Sequence, residues 1–315
     1  MAVTGHSSYV ANCVFSAFVC YTTIVLNTIT IHAIRKTSSL PMALKTLLLS
    51  LAVSDLGVGL FVQPLHITVL VMQLEPNAEN NPTYKVTFGV FLGILNLLYY
   101  ASFFSVVALS VDRFLAIHLH LRYKELVTHK RVVAVVILIW VFGALLSLIG
   151  SFVIPAREDR YVVFATVEVS CLIIGAVLYY KIYLAVRHHI NQIHSLQVEQ
   201  EAQNLEMANA ARLRKSAIGT LYVYLVLLFC YLPENCIYFA TFVSEWNTTL
   251  NVLSHHTLSL VLLNSSLNAL IYCWKMTDIR RAVIDILRTR VTSQNWQKLN
   301  SWKKQPTETV SGNFL

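Results

Sequence analysis

The sequence predicts an all-α membrane protein, a bundle of seven transmembrane helices followed by a short amphipathic helix. The 315 residues are 56% hydrophobic and only 13% charged, whereas soluble domains average about 25% charged residues. The apolar residues form seven runs, each long enough to cross a hydrocarbon core of about 30 Å as a helix. Outer-membrane barrels instead show short segments of alternating hydrophobicity, and the sequence has no such pattern.

The predicted spans cover residues 9–34, 44–72, 84–117, 131–154, 162–187, 216–243 and 252–274. They define an N-terminal segment 1–8, a helical domain 9–290 and a polar tail 291–315. The connection between the fourth and fifth spans, around residues 155–160, is expected to be only a few residues long. Residues 195–208 are rich in helix formers, so the fifth and sixth helices should continue beyond the bilayer.

The basic residues predict the orientation of the chain. All but three of the 24 Lys and Arg residues fall on one side of the predicted bundle, the exceptions being Lys85, Arg157 and Arg160. Since connections rich in Lys and Arg remain in the cytoplasm, the N-terminus is expected outside the cell and the C-terminus inside. The net charge of +8 is then explained by this bias and by anionic lipid, without a nucleic-acid partner.

The segment after the last span predicts a helix that lies on the inner surface of the bilayer. Thr277 is a candidate N-cap, and basic residues at 280, 281 and 288 fall on one face. The opposite face is apolar and consists of Ile279, Ala282, Val283, Ile286 and Leu287. Such an amphipathic pattern is typical of interfacial helices.

Polar residues within the spans are candidate functional residues, because they are costly in hydrocarbon. Asp55 lies in the middle of the second span. At comparable depth lie Asn27, Ser102, Asn264, Ser265 and Asn268. These residues could form an oxygen-rich cage for a small monovalent cation, or a water-filled network that only joins the helices. Residue chemistry leaves both interpretations open.

Two further features concern the third and sixth spans. Asp112 and Arg113 stand together at the cytoplasmic end of the third span, where they could simply pair. Alternatively, Arg113 could exchange its partner for a group arriving from the cytoplasm and act as a switch. Pro233 lies within the sixth span, where it removes a backbone hydrogen bond and predicts a hinge.

In their order, these residues resemble the class A, rhodopsin-like G-protein-coupled receptors over about residues 10–290. The matching positions are Asn27, Leu51–Leu56, Asp112–Phe114, Trp140, Tyr179, Cys230–Pro233 and Asn268–Tyr272. The resemblance implies a plasma-membrane receptor that transmits binding of an extracellular ligand to a heterotrimeric G protein by outward movement of helix 6. Parts of the pattern are also similar to the melanocortin and adenosine-like receptors.

The resemblance implies roles for individual residues. Arg113 would engage the G protein, with Tyr179 and Tyr272 turning inward to support it. The expected activation switch comprises Asp112, Arg113, Tyr179, Tyr231, Pro233 and Tyr272. Asp55, Ser102, Asn264 and Asn268 match a sodium pocket that favours the inactive state, and no other metal or cofactor is expected. Arrestin and a receptor kinase are further expected partners.

The sequence also departs from the family pattern. Ala269 replaces the proline of the helix 7 motif, Tyr231 replaces the usual tryptophan of helix 6, and Cys171 replaces a proline of helix 5. Leu213 replaces an acid that restrains Arg113 in some members. Phe88 stands where most members carry the cysteine of an extracellular disulfide, so this bond is expected to be absent.

The ligand is the least determined feature. Leu95 occupies the helix 3 position where amine receptors carry an aspartate, which argues against a biogenic amine. The candidate pocket residues are Leu95, Asn96, Tyr99, Glu234, Tyr238 and His255, with His66, Glu168, Asn235 and His256 at similar depth. Glu234 is expected to meet a cationic ligand group, to pair with a nearby His, or to face outward. Asn247 begins a glycosylation sequon.

Two alternative functions remain open. A transporter or channel would use Asp55 to line an ion or proton path, but such proteins commonly show inverted repeats and broken helices, which are not visible here. A receptor-like protein that does not signal would share all the motifs above. An enzyme is not expected, since acyl-transfer, hydride-transfer and phosphate-binding motifs are absent from the sequence.

Overall fold

The structure is a computed structural model that describes residues 2–75, 78–119, 122–150, 157–195, 200–244 and 248–289. Seven helices in these ranges are long and apolar enough to cross a membrane, which confirms the predicted fold class. Helix 1 is Ala2–Lys36, helix 3 Pro82–His118, helix 4 His129–Leu148, helix 5 Arg157–Ser195, helix 6 Gln200–Val243 and helix 7 Thr248–Lys275. Helix 2 combines Met42–Gly57, a π-helical turn Val58–Val62 and Gln63–Met72.

The helix ends differ from the predicted spans in informative ways. Helix 5 begins at Arg157, inside the segment around residues 155–160 that was expected to be a loop. Helices 5 and 6 reach Ser195 and begin at Gln200, which confirms that both extend past their apolar runs. Helix 1 begins at Ala2, within the segment 1–8.

Helix 3 lies at the centre of the bundle. It packs against helices 2, 4, 5 and 6, while helix 1 packs against helices 2 and 7. The largest buried side chains include Tyr100, Phe103, Tyr231 and Tyr272. Large apolar side chains such as Phe229, Phe239 and Phe242 are exposed on the outside of helix 6. Outward-facing apolar residues are what a bundle surrounded by lipid requires.

The predicted amphipathic helix is present at residues 277–289. Ile279, Ala282 and Ile286 are buried and join the main apolar cluster of the bundle. Leu287, expected on the same face, is exposed. It lies farther round the helix from Ile279 and Ala282 than the buried positions do, so the face that packs on the bundle is narrower than the sequence pattern predicts.

A close approach between helices 1 and 2 occurs at the π-helical turn. The turn ends two residues before Pro64, which lacks a backbone donor. A Cβ atom on Gly59 would lie 2.9 Å from Cγ1 of Ile24 and 3.1 Å from Cγ2 of Thr23. The Cys20 thiol donates a hydrogen bond of 3.3 Å to the Gly59 carbonyl. Glycine is therefore needed at position 59 for helix 1 to approach this closely.

Gly59→Val should lower the unfolding temperature of the purified protein, because added side-chain atoms would have to displace helix 1, at a cost of about 1–3 kcal/mol. Gly89→Val is the matched control, since no heavy atom lies within 4 Å of a Cβ placed at Gly89. Thermal unfolding of both variants in detergent tests the prediction. Equal unfolding temperatures for the two variants would contradict it.

Candidate functional site

A buried ion pair lies at one end of helix 3. Arg113 and Asp112 are 3% and 4% exposed. The Nε of Arg113 donates to Oδ2 of Asp112 at 3.0 Å, and a terminal guanidinium nitrogen bonds to the same oxygen. A buried charge that loses its partner is strongly destabilised, so Asp112 holds Arg113 in a neutralised state.

Tyr123 completes this group from the one-turn helix Tyr123–Leu126. Its hydroxyl donates to Oδ1 of Asp112 at 2.6 Å, so both carboxylate oxygens are engaged. Burial, together with the negative charge of Asp112, raises the pKa of Tyr123, which keeps the hydroxyl protonated and able to donate. Sequence reasoning missed Tyr123, because a lone tyrosine in a basic connection gives no periodic signal. Asp112, Arg113 and Tyr123 are called the Arg113 group below.

Two other predicted switch residues lie near the same end of the bundle. The Tyr179 hydroxyl on helix 5 accepts a hydrogen bond of 3.2 Å from Ser110, and Tyr179 is close enough to Arg113 for an electrostatic interaction. Tyr272 on helix 7 is buried, and its hydroxyl has no hydrogen-bond partner within the described ranges. The buried Tyr272 hydroxyl can therefore form a hydrogen bond in another conformation of the protein.

Helix 6 packs closely on helix 5 in this half of the bundle. The Tyr224 hydroxyl on helix 6 donates to the Leu172 carbonyl at 2.6 Å, and its ring lies 5.0 Å from that of Tyr179. A Cβ atom on Gly175 would lie 2.5 Å from Cε2 of Tyr224. The missing side chain at position 175 therefore allows the tyrosine to lie flat against helix 5.

An aromatic layer joins helices 3 and 6 near the middle of the bundle. The ring of Tyr231 stacks 4.9 Å from Tyr99 and 5.5 Å from Phe103. Pro233 follows within the same helix, which continues through it. Because Tyr231 and Pro233 are two residues apart, any bend at the proline would move this aromatic layer.

Asp55 is the centre of a second buried polar group. Its Oδ1 accepts a hydrogen bond of 2.9 Å from Ser102, and its Oδ2 accepts one of 3.0 Å from Asn268. The amide oxygens of Asn27, Asn264 and Asn268 are buried without partners among the described residues. A carboxylate and unpartnered amide oxygens are the donor types that hard cations prefer. The residues present therefore fit a small monovalent cation.

The six candidate pocket residues do not form one cluster. Glu234 accepts a hydrogen bond from Thr257 of helix 7, and Tyr238 also contacts its carboxylate. Tyr99 faces the same region from helix 3. Of the remaining candidates, Asn96 is half-buried next to Leu95, which is buried in an apolar cluster with Val58, Val62, Phe91 and Leu262.

His255 lies in a separate cluster between helices 1, 2 and 7. Its ring stacks 5.8 Å from that of His66 and meets Tyr9 edge-on at 5.8 Å. Ser16 joins the cluster through contacts of 3.5 Å to His66 and 3.4 Å to Ser259. The sequence placed His255 and Glu234 at similar depth, but depth does not specify which neighbouring helix each side chain faces. Asn247, the predicted glycosylation site, lies outside the described residues.

Glu168 of helix 5, which the sequence analysis names only for its depth, is a buried acid near Glu234. It is 1% exposed, and its Oε2 accepts a hydrogen bond of 3.0 Å from the side-chain amide of Asn235. In the sequence, the signal for a role of Glu168 is that it is a single acidic residue within an apolar run. All six cysteines are free thiols, including Cys171 next to this region.

Comparison with known proteins identifies relatives of the chain. Residues 26–160 match the family model of the seven-transmembrane receptors of the rhodopsin family. The chain is 25% identical to the adenosine receptor A3 of Canis lupus familiaris, with 96% of this chain and 99% of the relative covered. It is 27% identical to the melanocortin receptor 5 of Sus scrofa, with 80% and 84% covered. The adenosine receptor A2b of Gallus gallus is 25% identical, with 81% of each chain covered.

Tyr123→Phe should lower the unfolding temperature, because Oδ1 of Asp112 would lose a donor in a buried site. Hydrogen bonds to charged groups contribute about 1.5–3 kcal/mol. Tyr180→Phe is the matched control, because Tyr180 is exposed on the outside of helix 5. Thermal unfolding measured side by side tests this contact, and an unchanged value for Tyr123→Phe would show that the hydroxyl does not support Asp112.

Proposed function

We propose that this chain, which belongs to the rhodopsin family of seven-transmembrane receptors, transmits ligand binding to a heterotrimeric G protein by an outward movement of helix 6. The chain is a G-protein-coupled cell-surface receptor. In this proposal, an extracellular ligand and the G protein both favour the state with helix 6 moved outward. Each must then increase the affinity for the other, because the coupling free energy is reciprocal.

The state of Arg113 is the observation that carries the proposal. Its partner Asp112 is the adjacent residue of the same helix, so the pair can open without separating any two helices. A G-protein group that offers a better hydrogen-bond acceptor could replace Asp112 once helix 6 has moved away. The Tyr272 hydroxyl, buried without a partner in the described ranges, would then be available to hold Arg113 in its new position.

The contacts between helices 5 and 6 fit such a movement. Outward motion of helix 6 would withdraw Tyr224 from Gly175 and break its hydrogen bond to the Leu172 carbonyl. Tyr179 would lose the ring that packs on it and could turn toward Arg113. Pro233 supplies the bend about which the inner half of helix 6 moves.

The same proposal fixes the orientation in the plasma membrane. The Arg113 end would face the cytoplasm and the N-terminus the outside, in agreement with the distribution of Lys and Arg. Arrestin and a receptor kinase would be further partners on the cytoplasmic side, where the tail 291–315 carries several Ser and Thr residues. The relatives are adenosine and melanocortin receptors by name, so they do not select one ligand class.

We further propose a sodium ion at Asp55 as a regulator of the inactive state. Asp55, Ser102, Asn264 and Asn268 would hold it, and the ion would supply the positive charge that the buried carboxylate lacks. Helices 2, 3 and 7 would each contribute an oxygen ligand near Asp55, so the ion would favour the arrangement in which these three helices are packed together.

Arg113→Ala should abolish guanine-nucleotide exchange on a co-expressed G protein while leaving surface expression intact, because the cation that the G protein binds is gone. Asp112→Asn should do the opposite and raise ligand-independent exchange, by about tenfold or more. Arg122→Ala is the control, since Arg122 is exposed in the adjacent connection. Exchange that persists in Arg113→Ala at normal surface density would contradict the proposal.

Asp55→Asn should remove any stabilisation by sodium. The unfolding temperature of the wild-type protein is expected to rise when sodium chloride replaces choline chloride at constant ionic strength, and the variant should not respond. Asp285→Asn, an exposed acid in the amphipathic helix, should respond like the wild type. A sodium effect of equal size in Asp55→Asn would show that the ion binds elsewhere.

A further inference from the structure

We infer that the receptor binds its ligand through an organic cation with N–H donors, an ammonium or a guanidinium, held between the carboxylates of Glu168 and Glu234. This inference rests on the proposed function, because the half of the bundle that contains these residues faces the outside only if Arg113 faces the cytoplasm. The residues Glu168, Glu234, Asn235, Thr257 and Tyr99 are called the acid-pair site.

The two carboxylates are buried side by side. Glu168 is 1% and Glu234 6% exposed. Asn235, the residue after Glu234, donates to Glu168, and the two acids are close enough for their charges to interact. Thr257 of helix 7 donates to Glu234. Helices 5, 6 and 7 therefore meet at this pair of acids.

Within the described part of the chain, the recorded partners of the two acids include no Lys or Arg side chain. The groups that donate to the acids are neutral: the amide of Asn235 and the hydroxyls of Thr257, Tyr99 and Tyr238. Two adjacent carboxylates at membrane depth without a cation are costly. This energetic cost is expected at a binding site where a cationic ligand supplies the missing counter-charge.

Two further polar groups point to a ligand with several N–H donors. The Asn235 side-chain oxygen is buried and has no hydrogen-bond partner in the described ranges. Its amide nitrogen is already used by Glu168, so the free oxygen remains at the same site. The Tyr99 hydroxyl also lies at this site, where it faces the Glu168 carboxylate as a donor and keeps an oxygen lone pair for a further N–H group. An ammonium or guanidinium has enough N–H groups to satisfy these acceptors as well as the carboxylates.

The surroundings favour an organic cation over a metal ion. In the described residues, no group of three or more His, Cys, Asp and Glu side chains is arranged to hold a metal. Tyr99 and Tyr231, stacked at 4.9 Å, instead provide aromatic surface beside the acids, which attracts organic cations. A neutral ligand would leave both carboxylates without a counter-charge.

The acid-pair site changes what Leu95 implies about the ligand. The absence of an acid at that position of helix 3 argues against an amine only if helix 3 must supply the counter-charge. Here helices 5 and 6 supply it, and Leu95 lies in a separate apolar cluster. The cation could belong to a free small amine or to a basic side chain of a peptide, since both present the same chemistry.

The test uses the full-length receptor in lipid nanodiscs and two probes. Agmatine represents a free amine, and the peptide acetyl-Ala-Arg-Ala-amide represents a basic side chain; the citrulline version of the peptide is the uncharged control. Binding is followed by the concentration dependence of the unfolding temperature. We expect at least one cationic probe to bind saturably and the citrulline peptide not to bind, and the probe that binds identifies the source of the cation.

Glu168→Gln and Glu234→Gln should each weaken this binding by about tenfold or more, the effect of losing one charge-assisted hydrogen bond. Asn235→Leu should weaken it while both acids remain. Glu75→Gln removes an equal charge at an exposed position and should not change binding. Failure of both probes to bind the wild type, or equal binding by the double variant Glu168→Gln/Glu234→Gln, would overturn the inference.

The outcome is separable from that of the proposed function. Ligand-independent nucleotide exchange by Asp112→Asn, measured in the same nanodiscs, does not depend on the acid-pair site. Loss of cation binding with intact exchange would reject the acid-pair site alone. Cation binding without exchange in any variant would reject signalling to a G protein while keeping the site.

Discussion

A buried arginine that is neutralised by its own neighbour is the constraint on which the other features depend. Arg113 lies where water is excluded, so it needs a counter-charge in every conformation. In the packed bundle Asp112 supplies that charge, and Tyr123 holds Asp112 from the adjacent connection. Any partner that binds Arg113 must therefore bind it more strongly than Asp112 does.

Helix 3 links this constraint to the rest of the molecule. Its residues take part in three of the buried polar groups: Asp112 at one end, Ser102 beside Asp55 in the middle, and Tyr99 beside Glu168 in the opposite half. Tyr99 and Phe103 also stack on Tyr231 of helix 6. A ligand that changes the packing of Tyr231 therefore acts on helix 3, the same helix that carries Arg113, without requiring a separate pathway.

The sequence predicted the helices, and it predicted which polar residues share a depth, because both follow from hydrophobic run length and spacing. Ser102 and Asn268, which the sequence places at the depth of Asp55, both hydrogen-bond its carboxylate, while the sodium ion stays a prediction. Which side chains on different helices contact each other was harder to predict. His255 and Glu234 have similar depth but face different helices, and Tyr123 and the pairing of Asn235 with Glu168 became visible only in three dimensions. The π-helical turn at Val58–Val62 leaves the hydrophobic pattern unchanged, so periodicity could not reveal it.

The most direct test of the account is the distance between helices 3 and 6 at their Arg113 ends. Spin labels at His118→Cys and Lys215→Cys, both exposed positions, with Cys236 replaced by serine, would report it by pulsed electron resonance. A second pair at His118 and Met42, at the start of helix 2, provides a reference. The account predicts that a bound G protein lengthens the first distance by several ångströms and leaves the reference unchanged. A first distance that stays constant with and without the G protein would contradict it.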